Sequence, residues 1–97
     1  MKRIRRDEPM PIKLTQVEQD LILKHTFVEG DVHTQIEEAT KTGRGNLKFR
    51  PTPDQLNELL EWIAEGANHN EERSLVSRLD ALYNKLERVE ASLDVQD

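Results

Sequence analysis

Three histidines, three serines, no cysteine and many carboxylates hold whatever metal or nucleophilic chemistry this 97-residue chain could perform. No two of His25, His33 and His69 stand four residues apart, the spacing that brings two imidazoles onto one helix face around a metal. Glu65, His69 and Glu72 share a face only if the segments around them form one continuous helix, and a solvated polar face is the expected reading of that trio. Ser74, Ser77 and Ser92 all fall in one periodic C-terminal segment, whereas an activated serine sits on a strained G-x-S-x-G turn. With 19 Asp and Glu in the chain, no single pair stands out as an acid and its base. The glycines of TGRGN (42–46) lack the third glycine and the Lys-Ser/Thr pair of a phosphate loop. Without cysteine there is no thiolate zinc site, disulfide or thiol catalysis. The chain is therefore expected not to be an enzyme and to hold neither metal nor cofactor.

Charge is the next source of chemistry. The formal net charge is -5, yet residues 1–6 carry +4, 7–40 carry -6, 41–50 carry +4 and 51–97 carry -7. Two short basic islands thus interrupt two acidic segments. That pattern opposes broad electrostatic attraction to DNA but permits a local phosphate contact, or attraction between unlike patches of two copies. The residues such a contact would use are Lys2, Arg3, Arg5 and Arg6 with Arg44, Lys48 and Arg50. Aromatic residues amount to 4%, too few for the stacking platforms of single-strand binding.

The elements that must position these groups are mostly helical. Residues 1–9 are charged and nearly devoid of core material, which predicts a disordered basic arm, and 94–97 a disordered tail; between them lies one helical domain, 10–93. Met10, Ile12 and Leu14 alternate with Pro11 and Lys13 as in an edge strand, and Leu47 and Phe49 alternate with Lys48 and Arg50, so 10–14 and 46–50 are expected to pair as a two-stranded sheet. The glycine-containing stretch before it is expected as a flexible turn. Thr15 with Glu18 makes a capping box, and Val17, Leu21, Ile22 and Val28 give the first helix its apolar stripe until Gly30 interrupts. Asp31 is placed to cap a short second helix with Val32 and Ile36 inward and Ala39 continuing the stripe. Thr52, Pro53 and Asp54 open a longer helix, with Leu56, Leu60, Ile63 and Ala67 on one face and Leu59 and Trp62 widening it. Gly66 ends or weakens that helix, and Asn70 offers the cap of the next.

The last segment carries the strongest period. Leu75, Leu79, Leu82, Leu86, Val89 and Leu93 are separated by four, three, four, three and four residues, a heptad seam. An isolated helix of this length is marginal in water, so the seam must be covered, by the preceding helix folded back as a hairpin or by a second chain. The fold class is mainly α: two short N-terminal helices, two longer C-terminal ones forming a hairpin, and the small sheet. Trp62 and Tyr83 are expected as half-buried anchors with their polar edges reaching water or a carbonyl, Trp62 doubling as a partner hot spot.

The order LTQVEQDLILKHTF, then LKFR, then TPDQLNELLEWIAEGANHNEE, then RLDALYNKLERVE resembles a group of small bacterial proteins to which no activity is assigned, over about residues 10–90. The resemblance implies a bacterial cytoplasmic origin and a compact helical domain, and it transfers no site residue. No run of 18 apolar residues is present and MKRIRRDEPMP has no apolar stretch behind its basic start, so neither a membrane span nor a secretory signal is expected. The expected function is a protein–protein interaction or regulatory module that pairs with itself or with a helical partner through Leu75, Leu79, Leu82, Leu86, Val89 and Leu93, with Trp62 as anchor. The alternative is a nucleic-acid accessory factor that uses the basic residues on phosphates.

Overall fold

Two threonines set where the first and third helices begin in the computed structural model, which describes residues 2–43 and 46–96, residues 2 and 40–43 through their backbone alone. The Thr15 hydroxyl accepts from the Glu18 amide (3.1 Å) while the Glu18 carboxylate accepts from the Thr15 amide (2.8 Å), opening α1 (Gln16–His25). Thr52 and Gln55 repeat the arrangement at 3.2 and 2.9 Å and open α3 (Pro53–His69), with Pro53 in the first turn where its missing amide is harmless. Gly66 neither ends nor kinks this helix, which runs on to His69. After a turn at 70–72 the chain folds back as α4 (Arg73–Ala91), and α3 with α4 forms the expected hairpin. Asn70 does not cap α4. It terminates α3, and its side-chain oxygen accepts from the Glu72 amide (3.0 Å) within the turn.

The short second helix, α2 (Gly30–Glu37), begins one residue before Asp31, which is therefore not its cap. Gly30 has a positive φ of 74°, a conformation open to glycine at no steric penalty. α2 is held to α1 by a buried polar contact, Gln19 donating to the Ile36 carbonyl at 2.8 Å.

The strands Ile12–Thr15 and Asn46–Phe49 pair antiparallel as expected, Ile12 opposite Phe49 and Leu14 opposite Leu47, with all four side chains buried. Here the sheet exceeds the expectation in two ways. Residues 40–43, read as the end of a helix and a turn, are a third strand on the far side of 46–49. Its Thr-Lys-Thr-Gly sequence has no apolar alternation, because a strand can be held by backbone bonds alone. The arm also departs from expectation: Lys2–Arg5 is a strand paired in parallel with Leu93–Gln96, so neither 2–5 nor 93–96 is disordered. One residue explains the docking, since Ile4 is only 2% exposed within the core. In chain order the strands are therefore β1 (Lys2–Arg5), β2 (Ile12–Thr15), β3 (Thr40–Gly43), β4 (Asn46–Phe49) and β5 (Leu93–Gln96). Four helices, the β2-β4-β3 sheet and the β1-β5 pair enclose one apolar core that takes side chains from every helix. Among the described residues no helix is long and apolar enough to cross a membrane.

Candidate functional site

The residues expected to meet a partner divide sharply. Leu79, Leu82 and Leu86 are buried in the core of their own chain, so the middle of the seam is covered by the hairpin and by the rest of the domain. They do not form an interface between folded copies, because a period shows that a face must be covered and not by what. Leu75, Val89 and Leu93, at the ends of the seam, are half-buried against the same core, as is Trp62. The Trp62 indole N–H is sealed from solvent with no acceptor among the described residues, where a wet or bonded polar edge was expected. The space beside Gly66 one turn on is filled from within: the chain leaving α1 crosses α3 there, and a β-carbon on Gly66 would lie 2.7 Å from the His25 carbonyl oxygen.

The basic islands are distributed rather than gathered. Arg3 lies 3.9 Å from Asp94 and Arg6 lies 3.8 Å from Asp54, so two of the expected phosphate ligands face carboxylates of the chain itself. Arg5 and Arg6 border a hollow of about 520 Å³ together with Asp7 and Asp54. Lys48 and Arg50 border another of about 370 Å³ with Glu38, over Phe49. Lys48 also stands directly across the sheet from Lys13, two like charges on the solvent face. Arg44 lies outside the described residues, as do the side chains of Lys2 and Lys41.

One cluster on α4 has perturbed acidities. Partial burial first, and then the neighbouring Glu87 carboxylate, raise the Glu90 carboxyl above its ordinary value; desolvation, then the charge of Glu87 and a hydrogen bond to it, and last Glu90, raise the Tyr83 phenol. A carboxyl raised by folding is penalised only where it is ionised, so the penalty is absent below its unfolded pKa of about 4.3 and complete above its folded value. Glu90→Gln is therefore expected to match the parent in stability at acid pH and to exceed it slightly at neutral pH, by no more than a few tenths of a kcal/mol because Glu90 is only partly buried and water still screens its carboxylate. Urea titrations at the two pH values would read this; a variant less stable at neutral pH would contradict it.

The surface that combines apolar exposure with convergent charge lies elsewhere, between α1 and the first half of α4. Val17, Asp20, Leu21 and Lys24 fall at helical spacing along one face of α1, and opposite them stand Leu75 and Arg78, around a hollow of about 210 Å³. Val17, expected inside, is 58% exposed there. The stripe of α1 is wider than the core it meets, so Leu21 and Ile22 are covered and Val17 is left at the border. At one end of the groove α1 and α4 are clamped by Lys85 and Glu18 at 2.7 Å, through the same carboxylate oxygen that caps α1. Leu75, which lines the same hollow, is left half open. Asp20 accepts from Gln16 at 3.3 Å, whereas Lys24 and Arg78 form no ion pair among the described residues, so the rim is locally basic in an acidic protein.

Phe27 lies at this same end of the helical layer, where α1 and α3 finish and α4 starts. It is 57% exposed and meets His69 edge to face, ring centroids 5.6 Å apart. His69 donates through Nδ1 to the Glu65 carbonyl at 2.9 Å, which fixes its ring. The sequence does not mark Val17 or Phe27 as contact residues: Val17 falls in an apolar stripe that is ordinarily core, and Phe27 follows the end of α1 with no pattern of its own. No family model matches the chain, and neither a curated protein nor a solved structure is similar enough to count as a match.

Proposed function

We propose that the chain is a small interaction module of the bacterial cytoplasm, a binding protein rather than an enzyme, that docks an acidic amphipathic helix of a partner protein in the groove between α1 and α4. The observation that carries the reading is exposed Val17 on the same hollow as half-buried Leu75, with two cations, Lys24 and Arg78, that form no ion pair among the described residues. A helix laid there would bury its apolar stripe on Val17, the edge of Leu21, and Leu75, and would add a fourth rod beside α1, α4 and α3 in the manner of helix-in-groove recognition. The basic rim selects for carboxylates on the incoming helix and disfavours lysine-rich ones. Phe27 extends the apolar surface past the end of the groove.

The test uses two designed amphipathic peptides with the same apolar face, one with glutamate flanks and one with lysine flanks, titrated into isotope-labelled protein. The acidic peptide is expected to shift the amides of residues 17–25 and 75–78, and the lysine peptide to bind at least tenfold more weakly. The double variant Lys24→Glu/Arg78→Glu should invert that preference. Equal affinity for both peptides, or shifts confined to another surface, would end this reading.

The nucleic-acid reading has less support. It draws on Lys13 and Lys48 side by side with Arg50 beyond them, but Arg3 and Arg6 face Asp94 and Asp54. Binding to a duplex that weakens steeply with salt would be its signature.

A further inference from the structure

A parallel ladder alternates the residues that bond to a given neighbour. The Arg6 amide donates to the Gln96 carbonyl at 3.2 Å, so Gln96 and Asp94 turn their backbone groups toward β1. Leu93 and Val95 turn theirs away, toward an edge that no strand among the described residues occupies. The register sets Val95 beside Ile4, and side chains paired across a ladder share a face. Ile4 is 2% exposed on that core-facing side, whereas its neighbour Val95 is 39% exposed because the row stops there. A two-stranded sheet is marginal by itself, and parallel strands are ordinarily extended or covered on their flanks.

We propose that a second copy of the chain continues this row, β5 pairing antiparallel with the partner copy's β5 about a twofold axis that passes between the two Val95 residues. The result is a four-stranded sheet in the order β1-β5-β5-β1. Val95 and the partner copy's Val95 exchange both backbone hydrogen bonds, and the core-facing row reads Ile4, Val95, Val95, Ile4 across the dimer. On the other face the same register sets Asp94 opposite the partner copy's Gln96, so that row reads Arg3, Asp94, Gln96, Arg5 and no like charges adjoin.

Charge also rejects the alternatives. A twofold axis on Asp94 would place two carboxylates directly opposite each other. Pairing β1 with the partner copy's β1 would oppose strands of sequence Lys-Arg-Ile-Arg. The β5 arrangement is isologous and closes as a dimer, with no edge left basic-to-acidic for further addition. Its area is small, three residues of β5 a side, which places it among weak, concentration-dependent interfaces.

Sedimentation equilibrium of the intact protein is expected to give the mass of one 11.3 kDa chain at low micromolar concentration and to approach twice that near millimolar. Gln96→Asp keeps an attractive neighbour for Arg5 within the chain but sets two carboxylate pairs across the axis, and should raise the dissociation constant roughly fivefold. Because the chain has no cysteine, Val95→Cys introduces a single thiol. The α-carbons of a hydrogen-bonded antiparallel pair stand about 5.5 Å apart, within disulfide reach, so this variant should cross-link to a dimer under mild oxidation while Arg5→Cys does not. A mass that stays at one chain up to millimolar concentration overturns the proposal, as does cross-linking of Arg5→Cys as fast as Val95→Cys, or a dimer indifferent to Gln96→Asp.

Discussion

Leu82→Ala is expected to lower the free energy of unfolding by about 2–5 kcal/mol, the range for truncating a leucine that the surrounding core cannot close over. Leu82 is 2% exposed, with Leu79 one turn before it and Leu86 one turn after it at 0%. The position lies within the core where α4 packs on α3, so the space left by truncation is lined by helices that are already packed together. Leu75→Ala, at the half-open end of the same seam, removes the same three carbons and should lose about 1 kcal/mol or less, since much of that side chain already meets solvent. Guanidinium unfolding of the two variants gives the comparison, and the difference should not depend on protein concentration. A loss that grows on dilution would mean that a second chain, and not α3, covers the middle of the seam. Equally small losses at Leu82 and Leu75 would mean that the seam is exposed along its length.

Gly66→Ala sets two effects against each other. Alanine in a helix interior is favoured over glycine by about 1 kcal/mol, which would stabilise α3. The new β-carbon, however, would meet the His25 carbonyl oxygen at 2.7 Å and the Thr26 methyl at 3.1 Å. The first of these is backbone at the end of α1, already fixed where the Thr26 hydroxyl donates to the Ile22 carbonyl at 2.6 Å, so it has no flexible end to swing aside. Relieving the contact requires α1 and α3 to separate, and overpacking of that kind loses typically 1–3 kcal/mol. The close approach wins, and a net destabilisation of about 1–2 kcal/mol is expected by thermal or denaturant unfolding. A stabilised variant would show that α1 does not leave across Gly66. The exit of α1 also delivers Phe27 to His69, so the variant should weaken peptide docking only to the extent that Phe27 shares in it.

Local signals carried most of the architecture. Thr15 with Glu18, and Thr52 with Pro53, announce their helices because a cap is chemistry within one turn. The leucine period of α4 and the alternation around Leu47 and Phe49 are legible for the same reason. What escaped was set by partners distant in sequence. Thr40–Gly43 has no pattern of its own and is a strand because β4 offers it a ladder. Lys2–Arg5 reads as a solvated arm until a single isoleucine finds the core beside Leu93–Gln96. The candidate site was hidden twice over. Val17 sits on a stripe whose spacing predicts burial, and it is left open because that stripe is wider than the core it meets. The leucines that most resembled an interface are the ones the hairpin needs for itself. Of the groove residues, only Leu75 carries a contact signal in the sequence, as part of the heptad seam.

The pairing of β1 with β5 bears on the order in which the protein becomes itself. It joins Lys2 to Leu93 and so closes a loop of nearly the whole chain, a contact whose entropy of closure must be met before it returns any stability. The capped helices and the hairpin are built from near neighbours, so they are expected to form first and the ladder to be completed on them. Until Ile4 has docked, β5 has nothing to hold it straight, and its outer edge does not exist as a template. Recognition between copies would then be open only to chains that have finished folding, and a nascent or partly unfolded molecule would be excluded from assembly by topology rather than by any surveillance from outside.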